Sequence, residues 1–156
     1  MSPAELVQAL QLSPHPEGGY FRETYRATQR DAGGRAASTL IYFLLAAGQV
    51  SRLHRIDADE SWHLYLGGPL RIHELDDTAG VARTTVLGRA IERGERPQHV
   101  VPGGRWFGAE LALDAPFALV GCAVAPGFEF TRFELAQRGR LLPRFAAVAD
   151  LIGRLT

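Results

Sequence analysis

Gly48-Gln-Val-Ser-Arg-Leu-His54-Arg-Ile56-Asp-Ala-Asp-Glu60-Ser-Trp-His63-Leu-Tyr-Leu-Gly67 is the stretch that decides the fold. It reads as a strand beginning at Gly48 and ending near Arg55, a polar turn over Asp57 to Asp59, and a second strand from Ser61 to Leu66. Period-two alternation puts Glu60, Trp62 and Leu64 on one face of the second strand and Ser61, His63 and Tyr65 on the other. His54 and Glu60 thus stand on facing strands on either side of a tight turn. Burying such groups is costly unless they are partnered. The pair is expected either as a core histidine hydrogen-bonded to Glu60 or as the polar centre of a small-molecule pocket.

Working outward, Ser2-Pro3-Ala4-Glu5 carries an N-cap serine, a first-turn proline and a glutamate placed to cap in return, so a short helix is predicted to about Gln11. Pro14, Pro16, Gly18 and Gly19 break it. Tyr20 to Thr28, Thr39 to Leu45 and Leu70 to Leu75 read as further strands. Glycine and aspartate clusters recur at intervals of roughly 8 to 12 residues, as in a sandwich or barrel. No helices alternate with the strands, which argues against a parallel sheet. Phe128 to Leu135 is read as the closing strand, and Pro143 to Leu155 as an amphipathic helix. The fold class is all-β: an antiparallel jelly roll with short N- and C-terminal helices.

Composition removes several functions. Seventeen basic and seventeen acidic residues balance in 156, leaving no positive field for nucleic acid. All the basic residues are arginine, which excludes a Schiff-base lysine and a P-loop lysine. Cys122, the only cysteine, lies in the apolar run Phe117 to Ala125 and is expected to be a buried, inert thiol. The longest apolar run, Leu40 to Ala47, is far short of the roughly 20 residues of a spanning helix, and no signal pattern opens the sequence. The expectation is a cytoplasmic protein without membrane partners.

The spacing G-x5-H-x-I-x3-E-x6-G in the opening stretch resembles the first motif of the cupin superfamily, with Ile56 in place of the second histidine. Pro102-Gly103-Gly104 keeps the P-x-G turn of the second motif, with Phe107 at the histidine position and Leu111 at the asparagine. Five blocks extend the likeness along the chain: His15-Pro-Glu-Gly-Gly-Tyr-Phe-Arg-Glu23, Ser38-Thr-Leu-Ile-Tyr-Phe-Leu45, Asp59-Glu-Ser-Trp-His63, Pro97-Gln-His-Val-Val-Pro102 and Ala125-Pro-Gly-Phe-Glu-Phe130. Together they resemble the small single-domain cupins of the DUF985 (Cupin_5) family, sometimes described as predicted sugar epimerases. The resemblance implies one cupin domain over residues 1–156, a double-stranded β-helix that is usually dimeric, and a ligand cavity inside the barrel. A typical cupin metal site uses three histidines and a glutamate. Only His54 and Glu60 stand at matching positions, so no metal is expected to be required, and at most a divalent metal is held weakly by these two.

The leading functional expectation is an isomerase or epimerase acting on a carbohydrate-like or nucleotide-sugar-like ligand by proton abstraction beside a carbonyl, which needs a base and an acid on opposite sides of one carbon. His54 or His63 is the candidate base, Glu60 the group that orients the imidazole, and Tyr20 or Tyr42 the proton donor. Candidate substrate contacts are Glu17, from the flexible Glu17-Gly18-Gly19 turn, together with Tyr42, Gln98, Trp106 and Phe107. A non-catalytic binding protein using the same cavity is the alternative. A metal-dependent cupin with an incomplete ligand set is disfavoured by Ile56 and Phe107. His73 and His99 are expected to be structural or solvent-facing. A homodimer is expected, because the faces and edges of the apolar strand Thr39 to Leu45 need cover.

Overall fold

A computed structural model describes residues 1–112 and 114–156. The chain opens with helix α1 (Pro3–Leu10). Glu5 N–H donates to the Ser2 hydroxyl, the Glu5 carboxylate takes the Ser2 N–H at 2.7 Å, and Gln11 ends the helix in the left-handed region. Strands follow: β1 (Ser13–Pro14), β2 (Tyr20–Arg26), β3 (Thr39–Ala46), β4 (Val50–Arg55), β5 (Asp59–Gly67), β6 (Leu70–Asp76), β7 (Val81–Leu87), β8 (Gln98–Val101), β9 (Trp106–Leu111), β10 (Phe117–Ala125) and β11 (Glu134–Leu135). Two short helices close the chain, α2 (Arg138–Leu141) and α3 (Ala149–Arg154).

The strands form two antiparallel sheets, in the orders β1-β2-β3-β10-β5-β8 and β11-β4-β9-β6-β7. This is the jelly-roll architecture expected from the turn spacing. Between the sheets lies a core that includes Phe43, Leu45, Trp62, Leu70, Ile72, Phe107 and Val120. Each sheet also has an outer cover. Leu6 of α1 packs with Leu44 and Leu119 on the six-stranded sheet. Leu141, Phe145, Ile152 and Leu155 pack with Leu53, Leu75 and Trp106 on the five-stranded one.

Two expected elements are corrected. Phe128 to Leu135 is not one strand: it contains a 3-10 turn over Phe130–Arg132, and only Glu134–Leu135 pairs with β4. The reason is side-chain direction. Phe130 and Phe133 pack in one cluster with Phe128 and His15, and residues three apart share a side in a three-residue turn but oppose each other in a strand. Pro143 to Leu155 is likewise no single helix. Phe145, just before a 3-10 turn over Ala146–Val148, and Val148, its last residue, take non-helical backbone angles, and only Ala149–Arg154 is α-helical. Breaking the helix there lets Phe145 reach the same buried cluster as Ile152 and Leu155.

Candidate functional site

A cavity of about 160 Å³ opens between the sheets, walled by the inner faces of β2, β3, β5 and β10, the His15–Glu17 turn, β4, and the Phe128–Phe130 segment. Its aromatic lining includes Phe21, Phe43, Trp62, Phe128 and Phe130, and its deepest polar groups are Glu17, His54 and Glu60. The indole N–H of Trp62 is buried without a hydrogen-bond partner.

The polar centre depends on a bulge in β4. Val50 and Ser51 pair regularly with β9, the register then shifts, and pairing resumes at His54 opposite Phe107. Ser51 and His54, three residues apart, consequently both turn toward Glu17, whereas unbroken alternation would place them on opposite faces. The Ser51 hydroxyl donates to Glu17 Oε1 at 2.7 Å, and His54 Nε2 lies 3.2 Å from Glu17 Oε2. The Arg52 carbonyl in the bulge accepts from His54 Nδ1 at 2.7 Å. A carbonyl can only accept, so Nδ1 carries the proton, and neutral His54 has its lone pair on Nε2. Rings of Phe107 and Phe133 flank the imidazole with centroids at 4.1 and 5.2 Å. On the other side of Glu17, His15 Nδ1 accepts the Glu17 backbone N–H and lies 3.4 Å from Oε2.

Burial governs ionisation here. It pushes Glu17 up to about 7, against the fields of His15 and Arg52 and the Ser51 hydrogen bond that favour its anion. Glu60 is pushed up to about 8 by burial and by the charge of Glu17, with only the Cys122 thiol hydrogen bond working the other way. His54 is driven down to about 4 by burial. Of the two carboxyls, Glu17 has the hydroxyl donor Ser51 to favour its anion and Glu60 has only a thiol, so Glu17 is the one that ionises more readily. Cys122 is buried, and its thiol is raised well above the ordinary range by burial and by the two glutamates, which makes it unreactive.

The sequence candidates divide by location. Glu17, His54 and Glu60 meet at the cavity, and Phe107 backs His54 from the core. The expected His54–Glu60 hydrogen bond is corrected: the bulge aims His54 at Glu17 and its own Nδ1 at Arg52, leaving Glu60 with Cys122. Five further candidates lie outside the cavity. His63 pairs with Gly121 and Gln98 in unbroken register from Glu60, so no bulge turns it inward, and its ring faces Ser61 at 3.3 Å. Tyr42 lies edge-on to Tyr65 on the same outer face. Gln98 is exposed on edge strand β8. Trp106 packs beneath the C-terminal helices with Arg55 stacked 4.5 Å above it. Tyr20 is drawn away to the α1 cluster. His15, Phe21 and Phe130, which do line the cavity, were visible only as members of the family-like blocks; no spacing rule marks them. His73 and His99 each have carboxylate partners instead, Glu110 at 3.1 Å and Glu74 at 2.7 Å.

Residues 4–136 match the family model described as Cupin superfamily (DUF985). The chain belongs to this family. Among related proteins, this cupin is 30% identical to the uncharacterized protein YML079W of Saccharomyces cerevisiae over 144 residues, covering 81% of the chain and 71% of the yeast protein. Two solved structures superpose along the whole length. Protein SO0799 from Shewanella oneidensis has a TM-score of 0.94 at 37% identity, covering 100% of this chain and 98% of the other. A hypothetical protein from Leishmania major gives 0.92 at 34%, covering 100% and 99%.

The residues of this cupin do not fit the metal that typifies the superfamily. Ile56 is buried in the core and Phe107 is packed on His54, so two ligand positions are hydrocarbon. Among the described residues no group of three His, Cys, Asp or Glu side chains is arranged to hold an ion. What the cupin cavity does offer is two buried carboxyls, Glu17 and Glu60, both raised toward neutrality by burial among largely apolar side chains. Among the described residues, no helix is long and apolar enough to cross a membrane.

Proposed function

We propose that this cupin is an isomerase or epimerase that moves a proton at the carbon beside a carbonyl of a small, carbohydrate-like ligand, using Glu17 as base and Glu60 as acid. The observation that carries the reading is the presence of two buried carboxyls, held at about 7 and about 8, in one enclosed cavity. Proton transfer is most efficient when donor and acceptor titrate near the working pH. Ser51 fixes one oxygen of Glu17 and leaves the other facing His54. Neutral His54, held in one tautomer by the Arg52 carbonyl, offers Glu17 Oε2 only a lone pair, so it accepts a hydrogen bond from Glu17 once that carboxyl has taken up a proton. Aromatic walls exclude water and give an apolar ring face a surface to stack on.

The volume limits the ligand. About 160 Å³ matches the engineered cavities of about 150 Å³ that hold one benzene. One small ring fits, and the nucleotide of a nucleotide sugar would have to lie outside.

Proton exchange provides the test. Small aldoses and ketoses incubated with the protein in deuterium oxide should gain deuterium at the carbon beside the carbonyl, detected by NMR, and Glu17→Gln and Glu60→Gln should each slow the exchange about 100-fold or more. Saturable binding without exchange by any of these sugars would favour the non-catalytic reading.

We also propose that two copies pair through the outer face of the six-stranded sheet, where Leu40 and Tyr65 are left exposed beyond the cover of α1.

A further inference from the structure

The carboxyls without an arginine partner in the cavity are Glu17 and Glu60, whereas Glu23 and Glu129, also in its lining, are paired with Arg26 and Arg132. The chain has no lysine. The one arginine in the lining, Arg26, is already committed, donating to both oxygens of Glu23 at 2.9 and 2.7 Å and to the Phe128 carbonyl at 3.1 Å. His54 gives its Nδ1 proton to Arg52. An anionic ligand would find carboxyls and no free cation among the described lining residues.

Glu60 is the more telling member. It is 8% exposed, lies in the cavity wall, and receives no N–H or O–H hydrogen bond from any described residue; the Cys122 thiol is its hydrogen-bond partner and Glu17 a like-charged neighbour. A buried carboxyl with no N–H or O–H donor is a half-made interaction. Around it stand the rings of Phe43, Trp62 and Phe128, whose faces attract cations. A hydroxyl could hydrogen-bond Glu60, but only a positive charge draws on both carboxyls and on the ring faces together in this low-dielectric space.

We propose that the ligand carries a protonated amine, which seats at the Glu17–Glu60 pair against the aromatic wall, so that the cavity selects small organic ammonium ions over neutral and anionic compounds of the same shape. This rests on the cavity being the ligand site, as in the proposed function, and narrows the substrate class to amino-substituted carbonyl compounds. An ammonium group beside the reacting carbon would also acidify the proton that Glu17 removes.

Three ring compounds that differ only in charge test this. Cyclohexylammonium, cyclohexanol and cyclohexanecarboxylate are titrated into the full-length protein by calorimetry at about pH 8, where an aliphatic amine is still protonated. The ammonium is expected to bind at least about tenfold more tightly than the alcohol, and the carboxylate more weakly than either. Glu60→Gln keeps the shape and should shrink the preference for the ammonium over the alcohol to about twofold or less. Should that variant fail to fold, Glu17→Gln serves the same purpose, and the wild-type series decides by itself. Equal or tighter binding of cyclohexanol, or no binding of the ammonium, overturns the inference. Neither result touches the proton-exchange reading, which stands or falls on deuterium incorporation.

Discussion

Glu60 sits in a place where its charge is unwelcome, and this sets how the protein should respond to pH. Its folded-state titration at about 8 lies above the ordinary carboxyl value of 4.5. The protonated form therefore favours the fold, and the stability it contributes is fully present below about pH 4.5 and lost as pH rises through about 8. Glu17, raised to about 7, acts in the same direction. His54 opposes them: it is lowered to about 4 from 6.5, so its contribution is present above about 6.5 and lost as pH falls toward 4. His15 and His73 are lowered by burial as well and act with His54 below about pH 6.5, whereas above that pH only the two carboxyls act. Denaturant unfolding should show the wild type less stable at about pH 8.5 than at about pH 6.5. Glu60→Gln should remove much of the decline, gaining on the order of a few kcal/mol at the higher pH and less at the lower. A variant less stable than the wild type at both pH values would mean that the carboxylate is satisfied in the fold. The chemistry of these residues was legible in the sequence as residue types, since His54, Glu60 and Glu17 were all chosen from it. Their partners were not, because the pairing follows from a bulge that no letter marks.

That bulge is an element-scale feature with an identifiable support. It passes over Gly108 of β9, where an added Cβ would lie 2.8 Å from the Ser51 carbonyl oxygen and 3.1 Å from the Leu53 nitrogen. Both atoms are backbone and neither can swing aside, so only glycine lets β4 come this close. Gly108→Ala should cost about 1–3 kcal/mol, the range of overpacked core sites, and displace Ser51 and His54 from Glu17. The control is Gly153 in α3, where a Cβ meets nothing within 4 Å. Gly153→Ala should be neutral or stabilising by up to about 1 kcal/mol. Thermal unfolding of both variants checks the contrast, and equal melting temperatures would show that β4 is free to shift. Sequence patterning found β2 to β6 because alternating faces and turn residues mark them. It misread Phe128 to Leu135, where aromatic content imitates a strand although the rings gather on one side around His15. It also missed β7, an edge strand whose residues Val81 to Thr84 are exposed and show no buried alternation.

At the scale of the whole molecule, part of one outer sheet face lacks the cover that the rest has. Helix α1 shields Leu44 and Leu119, and the C-terminal helices shield the opposite sheet through Leu53, Leu75 and Trp106. The rest of the six-stranded sheet's outer face presents Leu40 at 38%, Tyr65 at 44% and Val100 at 50% exposure, with Tyr42, His63 and Ala123 among them. None of these six positions is Asp, Glu or Arg, and Arg22, which stands opposite Tyr42, donates to the Leu10 carbonyl at the end of α1. An apolar face of this kind is suited to association, and the proposed partner is a second copy, which would cover it by two-fold symmetry. Symmetry also sharpens the test, because one substitution enters the interface twice. Leu40→Arg places two like charges in the contact while leaving the barrel interior untouched, since Leu40 points away from Ile41 and Phe43, which line the cavity. Light scattering at micromolar concentration should give the mass of two 17.0 kDa chains for the wild type and one for Leu40→Arg, with circular dichroism unchanged. A wild-type monomer, or a variant that remains a dimer, would move the interface elsewhere and leave the exposed face to another partner.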